Sequence, residues 1–155
     1  MLSTRWLFNS EEETVETISW DHVHVLADEL SKIVMEGRCR PNLIVAVARG
    51  GFVPARLLSN GTGVKRLSSI GIAYIDANRS QREVYTVPHP IDEDSRILLV
   101  EDVLESGRSL VEARNILVLQ GARVWTAAFY YRPDSTIVPD FSLGILDSLP
   151  KFPWE

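Results

Sequence analysis

Three segments of the chain, residues 43–48, 96–100 and 124–130, are unbroken or nearly unbroken apolar runs. A strand with one solvated face alternates apolar and polar residues, whereas a strand buried on both faces is apolar throughout, as in parallel sheets. The pattern therefore predicts three buried strands of a parallel sheet. A shorter apolar run at 143–146 is a candidate fourth strand.

Helical periodicity lies between these runs. From Asp21 onward an apolar stripe recurs at helical spacing and ends at Gly37. A short helix is predicted at 52–59, followed by a turn at 60–63, and another at 110–120 that Gly121 stops. This alternation of strands and helices predicts an α/β fold with a mostly parallel central sheet flanked by helices.

Two further strands are predicted in the middle of the chain. Residues 67–75 and 83–87 are strand-like and enclose a polar loop at 76–82. Ligands of parallel α/β sheets bind at the carboxyl ends of the strands, so the loops there are the first places to look for a site.

Composition narrows the classes of protein without naming one. The 155 residues carry a net charge of −5, which gives no general attraction to nucleic acid or to an acidic membrane surface. No apolar run approaches the ~20 residues that a membrane span needs, and the first ten residues do not resemble a secretory signal. A single cysteine, Cys39, excludes disulfides within the chain and cysteine-based zinc sites. We expect one domain in the cytoplasm.

Two adjacent carboxylates, Glu101 and Asp102, follow the predicted strand at 96–100. Acids beside a phosphate site would repel the phosphate itself. They are useful there if they hold hydroxyl groups or a divalent cation.

A small polar turn comes next and opens a predicted helix. Free backbone N–H groups at a helix start attract anions, and the Ser106 and Ser109 hydroxyls can add hydrogen bonds. Gly107 allows a close approach of the backbone. A sugar phosphate fits both halves of the segment, although a turn with a serine N-cap and solvated acids would also account for it.

A second glycine-containing loop, Arg49-Gly50-Gly51, follows the predicted strand at 43–48. Its backbone N–H groups and the charge of Arg49 suit an anion at the start of the next helix. Taken alone, the loop is better explained as an ordinary strand-to-helix turn that needs glycine.

Residues 100–109, Val-Glu-Asp-Val-Leu-Glu-Ser-Gly-Arg-Ser, resemble the phosphoribosyl-pyrophosphate-binding signature of type I phosphoribosyltransferases. Residues 44–55 are similar to the pyrophosphate loop of the purine branch of that family, which often has a cis peptide at the position of Ala48–Arg49. Residues 152–155, Phe-Pro-Trp-Glu, resemble a segment near the end of the same branch. The resemblance implies one domain at 19–155 with a small C-terminal hood, preceded by an unmatched extension at 1–18.

The resemblance implies roles for three groups of residues. The ribosyl phosphate and its 5′-phosphate would bind to Glu101, Asp102, Glu105, Ser106, Gly107, Arg108 and Ser109. The pyrophosphate would bind to Arg49, Gly50 and Gly51. Glu105 would be the catalytic acid/base near N7 of a purine, where most relatives are expected to have aspartate.

The base end and the mobile loop depart further from the family. Arg132 replaces a lysine that binds the exocyclic oxygen of the base, and Leu149, followed by Pro150, replaces a stacking aromatic residue. The resemblance implies a mobile loop that includes Tyr74, Arg79, Gln81 and Arg82.

The implied reaction transfers ribosyl phosphate from phosphoribosyl pyrophosphate to hypoxanthine, guanine or xanthine, releasing pyrophosphate in purine salvage. Mg²⁺ would be the cofactor, with Asp102 in its coordination shell. The partners would be these small molecules, without nucleic acid or a membrane span, and a homodimer or homotetramer is expected.

Three alternatives remain at this point. The changes at Glu105, Arg132 and Leu149 suit a non-catalytic sensor of phosphoribosyl pyrophosphate on the same fold, or a transferase for another base. A phosphoacceptor signalling domain could use Glu101 and Asp102 to bind magnesium, but it would leave the loop at 49–51 without a role.

Overall fold

The structure, a computed structural model, describes residues 15–155 and has eight strands and three helices in that range. The strands are β1 (Leu43–Ala48), β2 (Leu67–Tyr74), β3 (Arg82–Thr86), β4 (Arg96–Val100), β5 (Val103–Leu104), β6 (Arg123–Ala127), β7 (Tyr130–Tyr131) and β8 (Gly144–Ile145). The helices are α1 (Trp20–Glu36), α2 (Phe52–Thr62) and α3 (Arg108–Leu119).

Five strands form the central sheet in the order β3-β2-β1-β4-β6. All neighbours are parallel except β3, which is an antiparallel edge strand on β2. β1 and β4 are adjacent, with Ala46 opposite Val100. The predicted α/β class with a mostly parallel sheet is confirmed.

Alternate residues of β1 and β4 face two separate cores. Ile44 and Leu98 belong to the core under α1 and α2, whereas Val45 and Leu99 belong to the core under α3. All four side chains are fully buried. Burial on both faces explains why these strands are apolar, apart from Arg96 at the start of β4.

The helix boundaries differ slightly from the predictions. The α2 helix continues through residues 60–62 of the predicted turn and ends there. Gly63 caps it in a left-handed conformation, and the Gly63 N–H bonds the Ser59 carbonyl. The α3 helix begins two residues earlier than predicted, directly after Gly107. The N-terminus of α1 is capped by Ser19, whose hydroxyl accepts from His22 N at 3.2 Å.

The predicted strand at 124–130 is wrong as a single element. The central strand ends at Ala127, and the chain then moves into a small second sheet of order β5-β7-β8. The Ala128 N–H bonds Phe141 O at 3.1 Å, and the Phe129 N–H bonds Asp102 O at 2.9 Å. Periodicity could not show this break, because the residues on both sides of it are apolar and buried. The candidate strand at 143–146 is present as β8.

The start of the described chain pairs with its C-terminal segment. Lys151 N donates to Glu16 O and Ile18 N donates to Lys151 O, both at 2.8 Å. Ile18 is buried in the core beneath α1 and α2. Of the extension expected at 1–18, residues 1–14 lie outside the described residues. No helix within 15–155 is long and apolar enough to cross a membrane.

Candidate functional site

A cavity of about 360 Å³ lies at the carboxyl end of β4. It reaches from the start of α3 to the C-terminal tail, defined here as residues 149–155. Its walls are formed by Val15, Tyr74, Arg79, Glu101, Val103, Leu104, Glu105, Ser106, Gly107, Arg108, Ser109, Leu149, Pro150, Lys151 and Glu155. The expected phosphoribosyl-binding residues therefore line this cavity, apart from Asp102.

The phosphate loop, residues 105–109, forms the start of α3. Gly107 has φ of 72°, a left-handed conformation that other residues rarely adopt. The N-cap residue Gly107 makes no side-chain hydrogen bond, and the Arg108 N–H reaches the Ser106 hydroxyl only at 3.4 Å. The first N–H groups of this helix are therefore available to an anion. The loop is held from outside by Thr136, whose N and Oγ1 donate to Ser106 O at 2.9 and 2.7 Å.

The acidic pair, Glu101 and Asp102, lies where β4 ends. Burial raises the pKa of the partly exposed Glu101 to about 8, and the neighbouring Asp102 charge adds to the effect. Burial also raises the pKa of Asp102, although the N–H donors of Trp154 and Val103 act in the opposite direction. Those donors lie 2.9 and 2.7 Å from its oxygens. Asp102 is therefore fixed by two donors, whereas Glu101 lines the cavity.

The glycine loop, residues 49–51, lies next to Asp102. A Cβ at residue 50 would be 2.6 Å from both carboxylate oxygens, so only glycine fits there without displacing them. The Ala48–Arg49 peptide is cis, as the family resemblance implied. Arg49 is exposed at the start of α2 and does not line the cavity at the end of β4. The glycine loop after β1 therefore lies against the acidic pair after β4, because β1 and β4 are neighbouring parallel strands.

The C-terminal tail is fixed by an aromatic cluster. The Phe152 ring stacks on Phe129 at 5.7 Å and on Trp154 at 4.6 Å between centroids. Trp20 of α1 also contacts Trp154, with the ring centroids 5.8 Å apart and the planes tilted by 51°. This packing positions the preceding residues, Leu149 and Pro150, at the cavity wall.

The loop between β2 and β3 borders the other side of the cavity. The Arg79 guanidinium lies 4.6 Å from the centre of the Tyr74 ring, and both residues line the cavity. Asp76 accepts from the backbone N–H groups of Ser80 and Gln81, which closes the loop on itself. Arg82 is outside the cavity and pairs with Glu112 of α3 at 3.0 Å.

The position of Arg132 differs from that of the other expected base-binding residues. Its backbone N–H bonds Leu104 O at 2.9 Å, next to Glu105. Its exposed guanidinium pairs with Asp134 at 3.0 Å and is not part of the cavity wall. To bind the base, the Arg132 guanidinium would have to leave Asp134, so its role at the base stays a prediction.

Among the site residues that sequence reasoning did not identify, Val15, Lys151 and Glu155 line the cavity, and Thr136 holds the phosphate loop. The only sequence signal was the position of Lys151 and Glu155 beside the Pro-Trp step. Val15 and Thr136 reach the site through contacts between distant segments, which a sequence pattern does not show.

Comparison with known proteins agrees with this geometry. The chain is 29% identical over 154 residues to the xanthine-guanine phosphoribosyltransferase of Gluconobacter oxydans (strain 621H), covering 95% of this chain and 89% of the relative. It superimposes on the purine phosphoribosyltransferase from Pyrococcus horikoshii Ot3 with a TM-score of 0.81 and 27% identity, over 90% of this chain and 92% of that one. The Helicobacter pylori xanthine-guanine-hypoxanthine phosphoribosyltransferase, at 22% identity, has the same fold with a TM-score of 0.79 over 90% and 92% of the two chains.

The sequence model of one family, the phosphoribosyl transferase domain, matches residues 19–155. This range includes the phosphate loop, the acidic pair, the glycine loop and the C-terminal tail. The chain therefore belongs to the phosphoribosyl transferase domain family.

Proposed function

We propose that this protein is a purine phosphoribosyltransferase that converts a 6-oxopurine and phosphoribosyl pyrophosphate into a nucleoside 5′-monophosphate and pyrophosphate. One observation carries the proposal: a single cavity joins the uncapped start of α3, the carboxylate of Glu101 and the aliphatic residues Leu149 and Pro150. These three surfaces match a phosphate, a ribose and a flat base, in that order.

The phosphate and ribose ends of the substrate would be held by neighbouring segments. Backbone N–H groups and hydroxyls of the phosphate loop hold the 5′-phosphate, with Arg108 adding charge at its edge. The acidic pair accepts hydrogen bonds from the ribose hydroxyls. Arg49, Gly50 and Gly51 hold the pyrophosphate, which would place it beside Asp102.

The acidic pair also fits a magnesium ion. Mg²⁺ commonly takes one or two protein carboxylates and completes its shell with substrate phosphates and water. Asp102 is the residue that would hold it, because its carboxylate lies beside Gly50 of the glycine loop and is fixed by hydrogen bonds. Bound there, the ion would neutralise charge on the pyrophosphate leaving group.

In the reaction a nitrogen of the base forms a bond to C1 of the ribose while the bond from C1 to the pyrophosphate oxygen breaks. The leaving pyrophosphate takes the bonding electrons. Glu105 lies on the cavity wall with an exposed carboxylate and would exchange the proton of the base near N7. The loop with Tyr74, Arg79, Gln81 and Arg82 would close over the site and exclude water.

Base recognition would be divided between a polar and an apolar group of residues. Arg132 would donate to the exocyclic oxygen after leaving Asp134, and Leu149 and Pro150 would contact the ring. Cytoplasmic localisation and assembly into a homodimer or homotetramer also form part of the proposal, supported by the family resemblance.

Pyrophosphate release tests this function directly. The protein is mixed with phosphoribosyl pyrophosphate, Mg²⁺ and each of a panel of purines and pyrimidines. We expect release with hypoxanthine, guanine or xanthine, and its loss by about 100-fold or more in Glu105→Ala. Glu36→Ala, which changes an exposed glutamate at the end of α1, is the matched control. Binding of phosphoribosyl pyrophosphate without turnover of any base would contradict the proposal and favour a sensor.

A further inference from the structure

The aliphatic part of the cavity is formed by two segments that are far apart in the sequence. Val15 lines it from one side, and Leu149 and Pro150 line it from the C-terminal tail. The two backbones pair directly, because Lys151 bonds both Glu16 O and Ile18 N at 2.8 Å. Val15 is therefore held next to the tail by the hydrogen bonds of the adjacent Glu16 and of Ile18, although its own side chain is 58% exposed.

The other surfaces of the cavity are suited to different parts of the substrate. The phosphate loop and Arg108 suit a phosphate, and the carboxylate of Glu101 suits hydroxyl groups. Aliphatic side chains gain from covering an apolar face, and the flat ring of the base is the part of the substrate that offers one. Val15 thus lies where the ring of the base would be enclosed.

This contribution comes from outside the matched family region. The family model begins at residue 19, and Val15 lies before it. Val15 thus adds an aliphatic contact at the same end of the cavity where Leu149 stands.

We propose that Val15 is a specificity-determining residue that contacts the purine ring and limits the volume available to the base. The inference rests on the proposed function, because it assigns a substrate contact within the same site. Its side chain is exposed in the free protein and becomes covered when the base binds.

Two substitutions, one that reduces the side-chain volume at residue 15 and one that increases it, test the proposal. Val15→Ala removes contact, and we expect KM for the preferred base to rise about tenfold, since one or two methyl groups in an apolar base pocket change discrimination by that order. Val15→Trp fills the space, and we expect a larger rise in KM for the base. KM for phosphoribosyl pyrophosphate should remain within about twofold in both variants, because the phosphate and ribose contacts are unchanged.

Val25 supplies the matched control. It is exposed to a similar extent, 52%, but lies on α1 and not on the cavity wall. Val25→Ala and Val25→Trp should leave both KM values at wild-type level, and thermal melting should show all four variants folded.

The results separate the two proposals. An active wild type whose base KM is unchanged in Val15→Ala and Val15→Trp would overturn the role of Val15 alone. Equal changes in KM for base and for phosphoribosyl pyrophosphate would also overturn it, because they would indicate a general effect on the site. A wild type inactive with every base would overturn the proposed function, and the role of Val15 with it.

Discussion

The indole N–H of Trp154 donates to Oδ2 of Asp102 at 2.9 Å, across 52 residues of sequence. The bond joins the C-terminal tail to the end of β4, where the glycine loop lies against Asp102. It also favours the ionised carboxylate, because an N–H donor lowers the pKa that burial raises. Trp154 thus contributes to the ribose and magnesium end of the proposed site, and the tail that contains it also lines the base end.

Loss of this bond should weaken substrate binding without unfolding the tail. In Trp154→Phe the ring can keep its stacking on Phe152, but the donor is absent. Hydrogen bonds to charged groups contribute about 1.5–3 kcal/mol, so we expect KM for phosphoribosyl pyrophosphate to rise about tenfold or more. Steady-state kinetics and thermal melting measure the two effects. Trp20→Phe, which changes the α1 ring that contacts Trp154, should have near-normal KM. An unchanged KM in Trp154→Phe would contradict the prediction.

Gly50→Ala tests the contact between the glycine loop and Asp102. The added Cβ would lie 2.6 Å from both carboxylate oxygens, so the carboxylate or the loop must shift. We expect a loss of about tenfold or more in kcat/KM for phosphoribosyl pyrophosphate, equivalent to about 1.4 kcal/mol. Gly144→Ala is the control, since a Cβ at Gly144 meets nothing within 4 Å. Equal activity in both variants would show that the contact is unimportant.

Glu101 should make the metal-free protein less stable as pH rises. Its pKa is about 8 in the folded state against an ordinary 4.5, so between those values the folded protein holds a proton that the unfolded chain has lost. The contribution of Glu101 to the free energy of unfolding is complete below pH 4.5 and is lost as the pH rises to 8. The loss is at most about 1.4 kcal/mol per pH unit. It is smaller where water screens the partly exposed side chain.

Urea unfolding from pH 5 to pH 8, with a chelator present, measures this dependence. Glu101→Gln cannot ionise, so its free energy of unfolding should fall less steeply with pH than that of the wild type. Parallel curves for the two proteins would exclude the effect.

The pair of Arg82 and Glu112 should give a small coupling energy. Their side chains are 24% and 30% exposed and lie 3.0 Å apart, connecting the base of the β2–β3 loop to α3. A double-mutant cycle with Arg82→Met and Glu112→Gln should give about 0.5–1 kcal/mol of coupling in the free energy of unfolding. Arg132 and Asp134, at 44% and 71% exposure, form a matched pair for which we expect a smaller value. A coupling near zero for Arg82 and Glu112 would contradict the prediction.

Most of the fold could be predicted because the central strands are buried on both faces. The residues of β1 and β4 that are buried in the two cores are all apolar, which makes these strands easy to recognise. The exit from β6 at Ala128 could not be predicted in the same way, since it is determined by hydrogen bonds to Phe141 and Asp102. Hydrophobic pattern reports burial, and it does not report which sheet a buried residue joins.

The candidate site, like the fold, could be predicted only in part from the sequence. The acidic pair and the phosphate loop follow one strand in the sequence, so their proximity was predictable from local order. Val15 and Trp154 reach the same region through pairing and hydrogen bonds over long sequence separations, and no local pattern encodes those. Arg132 was expected at the base, but its guanidinium pairs with Asp134.

Strands β1 and β4 lie side by side, but the helices that follow them cover opposite faces of the sheet. A ligand held by both loops would therefore be attached to two layers that share little except the sheet between them. Its binding free energy would oppose separate opening of either layer, so the two would unfold more cooperatively with ligand than without it. Amide hydrogen exchange would record this as a simultaneous rise in protection of α2 and α3.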